Sequence, residues 1–384
     1  MVSVKRNGSQ PIRIEPIGSD RQMRKFIALP WTIYAGDANW IPPLLFEQKQ
    51  RLSPKNPFFE HARWQAWIAW RGDRVVGRIS AQVDQLYQEI HQDNTGYFGM
   101  LEAEDDVEVF TSLLQTAEEW LRKQGMSRVR GPFNLSINEE AGLLIDGFDT
   151  PPVVMMGHAR AYYGPRLEAA GYQKAKDLLA YQIHPDFDIP PVMAKLRENA
   201  KPEVSVRPLR RKQLKQEFEI LRDIFNDAWS NNWGFVPFTQ AEFAEIGQLV
   251  SLLIDDSFIQ IAEIDGRPVA MIVVMPNINE VVGDLNGRLL PFGWMKLLWR
   301  LKVGYPGTAR VPLMGVRKEY HYGRLGPALA FTVIDAVRQP VIRRGITWVE
   351  MSWILEDNSG MRNIIETIGG SVYKRYRMYE KSLF

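Results

Sequence analysis

The chain contains no cysteine. Without a thiol there is no disulfide, no thiolate nucleophile, no Cys-type zinc site and no iron–sulfur ligation. Histidine is scarce as well. His61, His91, His158, His184 and His321 are scattered, with no pair four residues apart, so no His-based metal site is expected. Charge of one sign is also lacking: 47 Lys plus Arg face 45 Asp plus Glu, a net +2 over 384 residues. That balance excludes a disordered acidic or basic chain and gives no whole-surface attraction to nucleic acid, so no DNA partner is expected. The longest uncharged apolar run, Pro268 to Pro276, is far short of the ~20 residues a membrane-spanning helix needs. The polar start, Met1 to Pro11, has no apolar core of signal-peptide length. The expectation is a cytoplasmic protein with no stable membrane insertion.

Apolar residues make up 45% of the chain, with 12 Trp, 13 Tyr and 18 Phe, ample for full-sized cores. The chain also repeats itself faintly. Ile12-Arg-Ile-Glu-Pro16 leads through a helical stretch to Trp40; Val204-Ser-Val-Arg-Pro208 leads through another to Trp233, 193 residues later. Two strands joined by a Gly-Asp turn at Gly72-Asp73 reappear around Asp265-Gly266 at the same offset, which is the hairpin signature. Glu168, Gly171 and Tyr181 precede Glu366, Gly369 and Tyr379 by 198 residues. Four prolines between His184 and Pro202 suit a linker. The predicted organisation is a domain over 1–185, a linker over 186–202 and a domain over 203–384.

The order strand, long helices, hairpin, strand, helix, strand, helix, strand resembles the GNAT superfamily of acyl-CoA N-acyltransferases. Residues 203–384 carry the likeness best. Gly323-Arg324-Leu325-Gly326-Pro327 opens a helix whose Leu329, Val333, Val337 and Val341 recur at i+4 as a buried stripe. It resembles the family turn that holds the CoA pyrophosphate on free N–H groups at a helix N-terminus. His321 stands where the motif has Arg, and Arg324 where it has its first Gly. Ile365 stands where many members have a Tyr that protonates the leaving thiolate. The resemblance implies an α/β fold in α+β layers, two tandem GNAT-like mixed-sheet domains with a degenerate amino-terminal copy. It also implies acetyl-CoA or another acyl-CoA as co-substrate, contacted by Gly315, Val316, Gly323, Arg324, Leu325, Gly326 and Asn358. In the first half the equivalent helix opens on Glu102, Glu104, Asp105 and Asp106. Four carboxylates would repel a pyrophosphate, so this half should not bind CoA.

For catalysis, strand alternation puts Trp348, Glu350, Ser352 and Ile354 on one face and Val349, Met351 and Trp353 on the other. Glu350 on that apolar strand is a candidate general base, or else a Glu salt-bridged inside the sheet. Tyr322 and Tyr373 are candidate replacements for the absent acid. Asn358 suits either a pantetheine contact or a helix N-cap. The polar loop Gly131–Asp149 offers Asn134, Asn138 and Glu139 for the acceptor substrate, against a purely structural loop with Asx turns. The segment Leu289–Lys302 reads as a short helix with Trp294, Leu298 and Leu301 on one face, fit for an acyl channel, a membrane surface or a packing face. Lys195, Arg197, Lys201, Arg207, Arg210, Arg211, Lys212 and Lys215 form a basic stretch, either a solvated face or a tRNA contact. The leading expectation is an N-acyltransferase acting on a small-molecule or peptide amine, with a homodimer allowed. The alternatives are an inactive GNAT-like binding protein and a transferase using aminoacyl-tRNA or a long-chain acyl donor.

Overall fold

The computed structural model describes residues 10–200 and 204–384; the polar start, residues 1–9, and Lys201 and Pro202 of the linker lie outside them. The first half runs β1 (Ile12–Pro16), α1 (Asp20–Ile33), α2 (Leu45–Arg51), β2 (Ala62–Arg71), β3 (Arg74–Asp84), α3 (Gln85–His91), β4 (Thr95–Ala103) and α4 (Val107–Lys123). Four short strands follow, β5 (Arg128–Gly131), β6 (Phe133–Asn134), β7 (Glu140–Ala141) and β8 (Leu143–Asp146), then α5 (Tyr163–Ala169) and β9 (Gln173–Ile183). A linker helix, α6 (Pro191–Ala200), leads to the second half. That half runs β10 (Val204–Pro208), α7 (Leu214–Trp229), α8 (Gln240–Leu253), β11 (Ile259–Ile264), β12 (Arg267–Pro276), α9 (Asn279–Val282) and α10 (Gly293–Lys302). It ends with β13 (Thr308–Val316), α11 (Leu325–Arg343), β14 (Trp348–Leu355), α12 (Ser359–Thr367) and β15 (Ser371–Ser382).

One sheet of 13 strands runs through both halves, in the order β1-β2-β3-β4-β5-β15-β9-β14-β13-β12-β11-β10, with β8 beside β15. Each half sends its last strand across to the other. β15 pairs with β5 of the first half, and β9 pairs with β14 of the second. The exchange is reciprocal down to side chains: Tyr181 donates to Glu366 Oε1 at 2.8 Å, and Tyr379 to Glu168 Oε1 at 3.2 Å. The hairpins read from Gly72-Asp73 and Asp265-Gly266 are present as β2–β3 and β11–β12. Gly72 and Gly266 take φ of +60° and +76°, a conformation that costs glycine nothing.

Two large cores flank the sheet, and a smaller one around Phe26, Ile68 and Trp70 lies in the first half. The first half's is built around α4, and the second's around α11, whose Leu329, Val333, Val337 and Val341 are all buried. Each such side chain contributes roughly 1.5–3 kcal/mol on leaving water. Among the described residues α11 alone is long and apolar enough to cross a membrane; ten of its residues are buried in the core. Much of the basic stretch at the linker is ion-paired: Arg197 with Asp335, Arg207 with Glu217 and Glu263, Arg211 with Asp256.

Candidate active site

The parallel neighbours β13 and β14 pair only from Thr308–Trp348 to Val311–Met351 and then diverge. The wedge between their carboxyl ends opens into a cleft of about 710 Å³. Its walls include Gly315 and Val316 from β13, His321, Gly326 and Pro327 at the head of α11, Ser352 and Trp353 from β14, and Asn358 and Ile365 from α12. A volume of this size lies within the usual range of ligand pockets, about 300–1,000 Å³.

The strand direction decides which amides face the cleft. Arg317 donates its N–H to Val269 of β12 at 2.9 Å, so odd-numbered positions bond within the sheet. The Met314 carbonyl accepts from Trp229 Nε1 at 3.2 Å, and the Val316 carbonyl from His321 Nε2 at 2.6 Å. A strand residue's N–H and C=O lie on the same side, so the N–H groups of Met314 and Val316 face the cleft and that of Gly315 does not. Gly315 contributes closeness instead: a Cβ there would stand 3.1 Å from Ala228 on α7.

At the head of α11, Arg324 occupies the N-cap without a side-chain hydrogen bond to the first turn. The first-turn amides are left for a ligand, and the Arg324 guanidinium makes no ion pair among the described residues. Gly323 and Leu325 flank it on the same turn. Gly326 is required for packing, since a Cβ would lie 2.4 Å from the Tyr320 carbonyl. Asn358 takes both of its expected positions: its Oδ1 caps α12 by accepting from Met361 N at 3.1 Å, while the residue also borders the cleft. Ile365 is 1% exposed on the cleft wall, so no phenol stands there. Tyr322 is 98% exposed and absent from the cleft wall. The short turn Lys318–Tyr320 brings His321 inward and leaves Tyr322 at the apex in solvent.

Glu350 is fully buried and does not border the cleft. It sits opposite Arg310 in the sheet register, 3.8 Å from its Nε, with both side chains at 0% exposure. Tyr373 donates to its Oε2. Burial pushes the carboxyl up, against the pull of Arg310, Tyr373 and Ser352. Burial likewise lowers the guanidinium of Arg310, to about 10. Ser352 joins this pair to the cleft: its hydroxyl accepts from Arg310 Nε at 2.7 Å, is near enough to Glu350 to pull its carboxyl down, and lies on the cleft wall. Tyr373 is committed to Glu350, and burial with that charge raises its phenol far above the ordinary value.

The simple alternation expected for β14 fails after Ser352. Trp353 has a φ of +60° and the register slips between Met351 and Ile354, a strained conformation for a bulky side chain. The slip turns Trp353 onto the face of Glu350, where its ring centre lies 4.1 Å from the Arg310 guanidinium carbon, and sets the partly buried Ile354 against the core of α11. Arg310 Nη2, Glu350 Oε1, Trp353 Nε1 and Tyr376 Oη are buried there with no hydrogen-bond partner among the described residues. Arg310 and Trp353 escaped the sequence reading. The available signal for Arg310 was a lone charge in the apolar strand Thr308–Val316, the same signal that marked Glu350.

The equivalent wedge of the first half is filled. Its loop folds back between β4 and β5: Phe133 lies so close that a Cβ on Gly99 would overlap its carbonyl, and Asn134 Oδ1 accepts from Met100 N at 2.6 Å. Asn134 is thereby a latch and stands away from the cleft. Glu139 is paired with Arg51 at 2.7 Å. Asn138 lines a narrow apolar annexe of about 60 Å³ that shares Trp229, Trp233 and Trp353 with the main cleft; its amide donates to the Val236 carbonyl. The carboxylates before α4 are each answered: Asp106 caps the helix, and Arg71, Arg74, Arg166 and Arg78 pair with Asp106, Glu104, Asp105 and Glu102.

No family model matches the chain. Among solved structures it is similar to a tandem GNAT protein from the clavulanic acid biosynthesis pathway, at a TM-score of 0.56 and 13% identity, covering 97% of this chain and 99% of that one. It is also similar to a fungal GCN5-related glucosamine N-acetyltransferase region, at 0.57 and 14%, over 97% of this chain and 38% of that one. These likenesses show a tandem GNAT fold. In sequence the chain is 51% identical over 362 residues to Protein YghO of Escherichia coli K12, covering 94% of this chain and 93% of that one. It is 47% identical over 375 residues to the bacterial ceramide synthase of Caulobacter vibrioides, covering 97% and 98%. On this identity over nearly its whole length, the chain belongs to the family of Protein YghO and the bacterial ceramide synthase, carried on a tandem GNAT fold.

Proposed function

We propose that the chain is an N-acyltransferase that moves a long acyl group from acyl-CoA to the amine of a long-chain amino alcohol, giving an amide of ceramide type. The observation that carries the reading is the open wedge between β13 and β14, beside an α11 first turn with no side-chain cap. The name of the Caulobacter relative supports the acceptor class, and the apolar annexe beside the cleft suits hydrocarbon.

The chain's own groups divide the work as follows. The first-turn amides of α11 and Arg324 bind phosphate oxygens. The N–H groups of Met314 and Val316 hydrogen-bond the thioester carbonyl oxygen as negative charge develops on it. The acceptor amine attacks the carbonyl carbon; a C–N bond forms and the C–S bond breaks. The amine proton passes to Ser352 Oγ while the Ser352 proton passes to Glu350. The raised affinity of Glu350 for a proton favours this direction. The CoA sulfur leaves as thiolate and takes its proton from water, so Ile365 in place of an acid does not block the reaction.

The absence of cysteine makes the test clean, because a thiol reagent sees only released CoA. Incubation with palmitoyl-CoA and sphinganine should release one thiol per amide found by mass spectrometry. No release above the blank with short or long acyl-CoA would refute the reading. Stabilisation by acyl-CoA without thiol release would favour a binding protein that does not turn over, the reading that the buried Ile365 supports.

A further inference from the structure

The insertion between β12 and β13 has no part in the acyl-transfer reading, and its polarity is inverted. Helix α10 buries no residue. Its polar anchor points inward: Arg300 donates to the Val281 carbonyl at 2.7 Å and to Asp284 at 2.6 Å. Its outward face carries Trp294, Leu298 and Trp299 at 45, 50 and 61% exposure, and Leu290, Phe292 and Val303 flank it at 78, 73 and 68%. The sequence expectation had Leu301 on the face of Trp294 and Leu298; it is half-buried on the inward side instead. The insertion is held fast. Trp31 Nε1 donates to Asn286 Oδ1 at 2.6 Å, and Leu45 N to the Gly287 carbonyl at 2.9 Å. Phe46, next to that anchor, is 68% exposed and extends the apolar surface onto the first half.

Charge selects the occupant. Between Gly283 and Val303 the only acid is Asp284, against Arg288, Lys296, Arg300 and Lys302; among the described residues Arg288 and Lys302 make no ion pair. A second copy meeting this face about a two-fold axis would oppose like charges. An anionic lipid surface complements them, and Trp, Phe and Leu beside Lys and Arg is the composition of a segment lying in the headgroup region. We propose that residues 288–303 form a hook that seats the protein on an anionic bilayer surface. A ten-residue helix, about 15 Å long, rests in one leaflet and does not span the ~30 Å hydrocarbon core. The hook joins the amino end of β13 and the phosphate turn follows its carboxyl end. The two lie about 30 Å apart along nine residues of strand, which keeps the CoA end in water. The proposal stands on the exposed face alone and does not require the acyl-transfer reading.

The test is sedimentation of the full chain with vesicles of phosphatidylcholine and phosphatidylglycerol in about equal parts, and with phosphatidylcholine alone. The protein should partition onto the mixed vesicles, and Trp294→Ser with Trp299→Ser should weaken that by at least about tenfold. Lys302→Glu should weaken binding to mixed vesicles only, and salt should abolish the difference. Both tryptophans are exposed, so thermal unfolding should be unchanged; if it is not, Leu298→Ser replaces them. Wild type partitioning no better than the double variant would overturn the proposal. So would a dimer, seen by sedimentation equilibrium, that the same substitutions dissociate.

Discussion

His61 clasps the two halves, and its titration measures the strength of the clasp. The ring stands between carboxylates from either side, Nδ1 3.0 Å from Asp84 at the end of β3 and Nε2 3.1 Å from Glu242 in α8. Burial alone would depress the imidazolium. The hydrogen bonds and charges of Asp84 and Glu242 outweigh it and raise the pKa from 6.5 to about 9. A folded pKa above the unfolded one means the stabilisation is whole below 6.5 and is lost as pH rises through about 9. At 1.36 kcal/mol per unit the shift would be worth about 3 kcal/mol; allowing for solvent screening brings it to about 1–2 kcal/mol. Glu242 titrates in the opposite sense. Its burial would raise it, but His61 and Thr239 hold it below 4.5, so its share is present above 4.5 and lost as pH falls. The clasp is therefore strongest between about 4.5 and 6.5. His61→Gln keeps a donor and removes the titration. Urea unfolding of both proteins across this range should show the wild-type advantage shrinking by about 1–2 kcal/mol between pH 6.5 and 9. An advantage that stays constant with pH would refute the charged clasp.

Three further outcomes follow from the cleft and the pair behind it. Gly326→Ala forces its Cβ against the Tyr320 carbonyl and should weaken acyl-CoA binding about tenfold by titration calorimetry; an unchanged Kd would remove the head of α11 from the phosphate site. Glu350→Gln and Ser352→Ala should each lower kcat about a hundredfold or more while sparing KM, and normal turnover in either would break the proposed relay. Arg310→Met leaves Glu350 buried without its counter-charge and should cost about 3–5 kcal/mol at neutral pH, most of it recovered by adding Glu350→Gln; additive losses in the urea midpoints would show that the pair is not coupled.

The hairpins, the α11 stripe and the acidic cap of α4 were legible because each is set by a local period or a local turn. The exchange of the last strands was not. β9 and β15 carry a tyrosine at the same place, Tyr181 and Tyr379, and nothing local says which half a strand completes. The same holds at the site. Gly326 and Asn358 were placed at helix starts, and they stand there on the cleft wall. Tyr322 was misjudged because a one-residue difference at the apex of a turn decides whether a ring faces the cleft or the solvent. Trp353 was assigned to the wrong face because strand alternation has no means of foreseeing a slip that only the partner strand β9 imposes.

The spacing between equivalent positions records how two related halves became unequal. It is 193 residues at the hairpins, 220 at Gly125 and Gly345, which end α4 and α11 with positive φ, and 198 at the closing strands. The first change comes from the α9–α10 insertion of the second half, the second from the long loop of the first. The loop fills the wedge between β4 and β5, while the wedge between β13 and β14 stays open. An open wedge is a cost, because strands that diverge give up ladder hydrogen bonds and expose backbone. The exchanged strands offset that cost from outside the site: β9, anchored against β15 in the closed half, borders β14 along the length where β14 has left β13. The closed half is thus the frame that keeps the other half open, and a substitution that loosens its plug, such as Asn134→Ala, should lower stability of the whole sheet before it touches acyl-CoA binding.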